Sequence, residues 1–242
     1  MSYNLGIALL VAILSYLLGA ISFARLITRR FSSGKDVAQI EVPVPGTGEK
    51  MQVTSIGANA ASIELGAQGG MLVGLLDILK VAIPSLACKL IFPNLPYYTL
   101  LAGLAGMAGH NWPIYYRFHG GVGFSAAMGS LLVVDWLAVI VLPISGTLFG
   151  MLVRNLVVAS LSWLWLLIPW MWFRTQDWVY VIYAVALNIL FILAMIPEAK
   201  MAIHYWKEGK LHEYGESVLL STPMGRGMVK MASYFKFSIR PE

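Results

Sequence analysis

Met1-Ser-Tyr-Asn-Leu-Gly-Ile-Ala-Leu-Leu-Val-Ala-Ile-Leu-Ser-Tyr-Leu-Leu-Gly-Ala-Ile-Ser-Phe-Ala-Arg25 carries no charge before its final residue, and Arg29 and Arg30 follow at once. An uninterrupted apolar run of this length matches the roughly 30 Å hydrocarbon core of a bilayer, and the arginines mark its cytoplasmic end. The run has no basic leader and no Ala-x-Ala cleavage site, so it reads as a retained span and not as a signal peptide. The rest of the chain agrees. Of 242 residues, 58% are hydrophobic and 12% charged, with mean hydropathy +0.73, whereas a soluble domain carries about 25% charged residues. Such a chain cannot cover a water-facing surface, so the fold class is all-α, a polytopic transmembrane helical bundle.

Further apolar stretches place the remaining spans. They run from about Gly69 to Phe92, Tyr97 to Phe118, Gly123 to Val134, Trp136 to Val153, Leu156 to Phe173 and Trp178 to Ile196, which makes about seven at roughly 20 residues each. Between the first two lies a polar stretch, 31–64. In it Ile40-Glu-Val-Pro-Val-Pro-Gly-Thr-Gly-Glu-Lys-Met-Gln-Val-Thr54 alternates around a glycine turn and predicts a small β-hairpin. Residues 1–198 then form a transmembrane domain and 199–242 a basic tail, in which Met228–Phe237 suits an amphipathic helix at a membrane surface or a solvated segment.

Basic residues set the orientation. Arg25, Arg29, Arg30, Lys35, Lys50, Arg117 and Arg154 fall at inner ends, and the tail adds more, which puts the N-terminus outside and the C-terminus in the cytoplasm. The net charge of +5 therefore belongs to loops beside anionic lipid, not to a nucleic-acid site. Trp136, Trp163, Trp165, Trp170, Trp172 and Trp178 predict an aromatic belt on the outer side. The lone Cys88 sits in an apolar run and reads as a small packing residue.

One stretch carries chemistry: Gly106-Met-Ala-Gly-His-Asn-Trp-Pro-Ile-Tyr-Tyr-Arg-Phe-His-Gly-Gly-Val-Gly-Phe124. Glycines let several backbone N–H groups converge, and at a helix N-terminus such donors bind anions. Gly120, Gly121 and Gly123, with Arg117 and His119 beside them, suit a phosphate cradle at the inner face. A glycine-rich reversal between two helices with interfacial cations fits the same letters. Asp77 and Lys80 lie three residues apart on one helix face, where they suit a structural link or a substrate contact. His110 reads as an intramembrane hydrogen-bonding residue more readily than as a base.

Three segments together resemble a known family. Gly109-His-Asn-Trp-Pro113 followed by Arg117-Phe-His-Gly-Gly-Val-Gly123 is similar to the Gly-His-x-x-Pro and Lys-Phe-Lys-Gly-Gly-Lys-Gly of the acyl-phosphate-dependent glycerol-3-phosphate acyltransferases of bacterial membranes, the PlsY type. Tyr16-Leu-Leu-Gly-Ala-Ile-Ser-Phe-Ala-Arg-Leu26 resembles that family's first helix. Leu65-Gly-Ala-Gln-Gly-Gly-Met-Leu-Val-Gly-Leu-Leu-Asp-Ile-Leu-Lys80 resembles its second. The resemblance implies transfer of an acyl group from acyl phosphate to glycerol 3-phosphate, giving lysophosphatidate in a bacterial inner (plasma) membrane, with membrane lipid as surroundings and no metal or other cofactor. It casts Ser55, Arg117 and His119 as catalytic, Gly120, Gly121, Gly123 and Asn59 as phosphate-binding, and His110, Asp77 and Lys80 as support.

The departures define an alternative. The family's first-loop Gly-Ser-Gly-Asn-Pro-Gly-Ala-Thr-Asn becomes Thr54-Ser-Ile-Gly-Ala-Asn-Ala-Ala-Ser62, Val122 stands where the family has a lysine, and a late His-x-x-Asn motif has no match around His204. A catalytically silent relative, serving as a structural or lipid-binding subunit among membrane-complex partners, would tolerate these changes. A small transporter fits less well, because the spans hold few polar residues and no duplicated broken helix.

Overall fold

The computed structural model describes residues 3–32, 36–153 and 156–234; Lys35, Arg154 and the end of the expected tail helix lie outside the described residues. The chain forms helices α1 Leu5–Gly19, α2 Phe23–Phe31, α3 Ala58–Ile91, α4 Pro96–Asn111, α5 Phe124–Val134, α6 Trp136–Leu152, α7 Leu156–Thr175, α8 Trp178–Ala194, α9 Ile196–Lys207, α10 Leu211–Ser221 and α11 Pro223–Tyr234, with strands β1 Glu41–Pro43 and β2 Lys50–Gln52. Helix thus forms in each expected apolar stretch, over part of it in the third. By length and apolarity alone, Leu5–Phe31 and Ala58–Ile91 each suffice to cross a membrane, and α8 with α9, taken as one broken span, makes a third candidate. α5, with 11 residues, covers only about half of a hydrocarbon core at 1.5 Å per residue.

Two compact units emerge, Met1–Ile21 with Leu76–Leu193, and Ser22–Leu75 with Ala194–Glu242. In the first, glycines let helices touch backbone to backbone, the packing mode favoured where lipid offers no hydrophobic drive. A Cβ on Gly19 would collide with the Gly106 carbonyl, and one on Gly109 with the Tyr16 carbonyl, so α1 lies directly on α4. The Tyr16 hydroxyl donates to the Trp112 carbonyl at 2.6 Å. α8 is tied to α7 by Asn188, whose Nδ2 donates to the Leu164 carbonyl at 3.0 Å. Cys88 is buried beside Ala8, Tyr98 and Ala102.

Two expectations need correction in this unit. Trp163 does not join an outer belt; it is 2% exposed and packs edge-on against Phe124 at 5.2 Å and Phe191 at 6.3 Å. Its ring fills the space between three helices, where burying a large aromatic gains most. The third span also stops early, at Asn111 and not Phe118. Pro113 disfavours the helical conformation for the residue before it, and Trp112 accordingly sits at φ −128°, ψ 71°.

In the second unit the expected hairpin forms, with Val42 opposite Met51 in an antiparallel pair. Both side chains are buried while their neighbours along each strand are exposed, the period-two pattern of a half-covered ribbon. They join Ile56, Ala60, Ala61, Val73 and Tyr205 in one apolar core. Arg25 and Arg29 reach Asp36 at 3.1 and 2.7 Å. Burial opposes the Asp36 charge, yet the Ala38 amide and the two guanidinium groups outweigh it and hold the carboxyl below its usual range. The tail is helical through α10 and α11.

Candidate active site

The loop between α4 and α5 is built by a sequence of backbone restraints. After Pro113 a single 3-10 turn covers Ile114–Tyr116. Arg117 and Phe118 then adopt left-handed backbone at φ 51° and 61°, a region that costs an ordinary side chain about 1 kcal/mol or more. Three amides hold the turn closed: Phe118 N–H donates to the Pro113 carbonyl at 3.0 Å, His119 to Tyr116 at 3.1 Å, and Gly121 to His110 at 3.2 Å. The Gly121 amide is thus engaged inside the protein. At Gly120 a Cβ would stand 2.6 Å from Pro113 Cδ and 2.7 Å from the Asn111 carbonyl oxygen.

The restraints turn three side chains outward. Arg117, Phe118 and His119 are all exposed, while Gly121 and Gly123 are buried beneath them. His119 Nδ1 lies 2.7 Å from the Arg117 carbonyl. A carbonyl accepts only, so Nδ1 carries the proton, and the ring's Nε2 is an acceptor when neutral and a donor when charged. Gly123, at φ 88°, is the N-cap of α5 and has no side chain with which to cap it. The first-turn N–H groups of α5 therefore receive no bond from their cap residue, which leaves the donors and positive dipole end that favour an anion.

Beneath this loop, inside the same unit, lies a second group of ionisable side chains. Asp77 Oδ1 is 2.8 Å from Lys80 Nζ and 3.6 Å from His110 Nδ1. Lys80 also donates to the Ile21 carbonyl at 2.7 Å, just past the end of α1. All three side chains are buried, so the Asp77 and Lys80 charges satisfy each other, with His110 beside them, instead of facing solvent. His110 belongs to both groups, since its carbonyl receives the Gly121 amide.

Ser55 and Asn59 belong to the other unit. Ser55 is half-buried between β2 and α3, and Asn59 is exposed in the first turn of α3; the Asn59 carbonyl accepts from Ser62 Oγ at 2.6 Å. Among the described residues no cluster of His, Cys, Asp or Glu suits a metal ion.

Sequence reasoning passed over Asn111. It is 3% exposed, and its Nδ2 donates to the Leu190 carbonyl at 3.1 Å. That bond fixes the amide's orientation, which puts Oδ1 2.5 Å from where a Cβ on Gly123 would stand. Asn111 thus anchors α4 to α8 and reserves position 123 for glycine. The available signal was an amide side chain at the end of an apolar stretch, because a buried amide must find partners.

Comparisons with known proteins place this geometry in context. Residues 9–205 match a family model described as glycerol-3-phosphate acyltransferase. A glycerol-3-phosphate acyltransferase of Shouchella clausii is 36% identical over 115 residues, 47% of this chain and 50% of that protein, so the chain spans about half the length of that relative. Glycerol-3-phosphate acyltransferase 3 of Dehalococcoides mccartyi is 31% identical over 220 residues, covering 85% of this chain and 96% of the relative. The crystal structure of PlsY (YgiH), an integral membrane glycerol 3-phosphate acyltransferase, in its glycerol 3-phosphate form superposes with TM-score 0.66 at 26% identity, over 85% of this chain and 94% of that one.

Proposed function

The chain belongs to the glycerol-3-phosphate acyltransferase family, a multi-pass bacterial membrane protein by its structural likeness and its relatives, and from that footing we propose that it transfers an acyl group from acyl phosphate to glycerol 3-phosphate. A hydroxyl oxygen of glycerol 3-phosphate attacks the acyl carbonyl carbon, the carbon–oxygen bond to phosphate breaks, and the hydroxyl proton ends on the departing inorganic phosphate. The product is lysophosphatidate. The acyl phosphate is already activated, so the protein needs to align two phosphate-bearing molecules and offset the charge that develops on oxygen.

The observation that carries the reading is the 112–123 loop. It presents Arg117 and His119 outward beside the glycine-capped N-terminus of α5. Arg117 can grip a phosphate bidentately, which a lysine cannot, and so stands in for the family's lysine at that position. His119 adds one donor or acceptor at Nε2 according to its charge. Gly120 and Gly123 keep the backbone close enough for the α5 amides to reach an anion, while Gly121 shapes the turn. Ser55 and Asn59 are assigned to the acceptor substrate. In the proposed orientation the N-terminus lies outside, the loop lies at the cytoplasmic face, and the acyl chain stays in the bilayer.

The test is direct. Purified protein in detergent or lipid, given acyl phosphate and glycerol 3-phosphate, should form lysophosphatidate and release inorganic phosphate in equal amount. Product at background level refutes the proposal.

A further inference from the structure

The family match ends at residue 205, so α10 and α11 lie beyond it, and the hairpin sits far from them in sequence. Within the second unit, however, the two are fastened together. Ser217 of α10, 3% exposed, donates through Oγ to the Pro43 carbonyl at 2.8 Å. Lys210 Nζ lies 2.7 Å from Glu49 Oε1, beside the hairpin turn. Tyr214 of α10 stacks on Tyr205 at 5.2 Å with the rings 19° apart.

The segment between hairpin and α3 is held in the same core. Val42 and Met51 of the hairpin, Tyr205 of α9, and Ile56, Ala60 and Ala61 of the segment form one buried cluster. Ile56 and Ala60 point inward, each next to a residue that does not: Ser55 is half-buried and Asn59 exposed. The orientation of Ser55 and Asn59 is thus set by what their neighbours pack against, and that packing includes the hairpin and the tail.

We propose that the hairpin and the helices after residue 205 form a brace that positions Ser55 and Asn59 for glycerol 3-phosphate, with Ser217 and Lys210 as positioning residues that do not touch substrate. The proposal rests on the assignment of Ser55 and Asn59 to the acceptor substrate. It explains why the hairpin and the tail, remote in sequence, carry a part-buried polar bond between them. Such a bond is costly to leave half-made and is therefore specific.

The test uses the full chain carrying Ser217→Ala with Lys210→Gln, followed by hydrogen exchange and by steady-state kinetics. Peptides covering residues 40–62 should exchange faster by about 5- to 30-fold, the factor that one or two kcal/mol represents, while peptides covering residues 96–134 keep their wild-type rates. KM for glycerol 3-phosphate should rise several-fold with kcat and KM for acyl phosphate little changed. Ser217→Thr with Lys210→Arg, which retain the hydroxyl and the charge, should restore both readouts. Unchanged exchange over residues 40–62 overturns the brace, and faster exchange with an unchanged KM overturns its positioning role. If wild-type protein forms no lysophosphatidate, the functional reading fails, and the exchange result alone decides whether the brace exists.

Discussion

Two groups of polar charges share one unit of this protein and do opposite things. Asp77, Lys80 and His110 are buried, mutually paired and bonded to the end of α1. Arg117 and His119, a short loop away, are exposed on left-handed and adjoining backbone. The residue types are nearly the same. What differs is the partner each group has found. Inside an apolar bundle a charge must be neutralised by its neighbours, which makes it a fastener. Beside a helix N-terminus that lacks a side-chain cap, an exposed cation adds to a field already arranged for an anion.

Substitutions can break this contrast. The largest effect is expected from Asp77→Leu, which leaves Lys80 charged and buried without its carboxylate. It should lose about 3–5 kcal/mol of stability, seen as a lowered unfolding temperature in detergent, and Asp77→Leu with Lys80→Met should recover most of that loss. Equal instability of the single and double variants would mean that the pair is not the fastener. A smaller effect is expected at Gly123, where an alanine would need φ near 88° and would meet Asn111 Oδ1 and Met107 Cε at 2.5 and 2.7 Å. Gly123→Ala should cost about 1–3 kcal/mol and depress acyl transfer with it; wild-type stability and rate would show that the turn is not constrained there.

The smallest effect concerns pH. The Asp36 carboxyl is held below its ordinary value of 3.8 by Ala38, Arg25 and Arg29, against the effect of burial. A depressed carboxyl stabilises the fold above the unfolded-state value, and that contribution is lost as pH falls through the folded value. Unfolding temperature should therefore fall below about pH 4 in the wild type, and less steeply in Asp36→Asn. Identical acid profiles would remove Asp36 from the account.

Much of the fold could be read in advance because bilayer physics is severe. The charge-free Met1–Ala24 run, the arginines that close it and the alternating hairpin each obey a single rule without competition. Where two rules competed, reading failed. Between Tyr97 and Phe118 apolarity suggested continued helix, but Pro113 imposed a local stop that hydropathy does not register. Trp163 has the amphipathic ring of an interfacial residue, and only the packing of Phe124 and Phe191 around it decides that it turns inward. The loop of the candidate site could be marked in the sequence, and its supports could not. Glycines and cations announce themselves by type, whereas the grip of Asn111 on Leu190 and the bond from Ser217 to Pro43 depend on chain segments far apart in sequence.

The central claim is that exposed Arg117 of the 112–123 loop serves the reaction while the buried Asp77–Lys80 pair serves the fold. Comparing Arg117→Ala with wild type, for lysophosphatidate formation and unfolding temperature in one preparation, tests it most directly. Acyl transfer measured as kcat/KM for acyl phosphate should drop by about 100-fold or more, with stability within about 0.5 kcal/mol of wild type. Transfer at the wild-type rate, or a loss that merely follows unfolding, would contradict it.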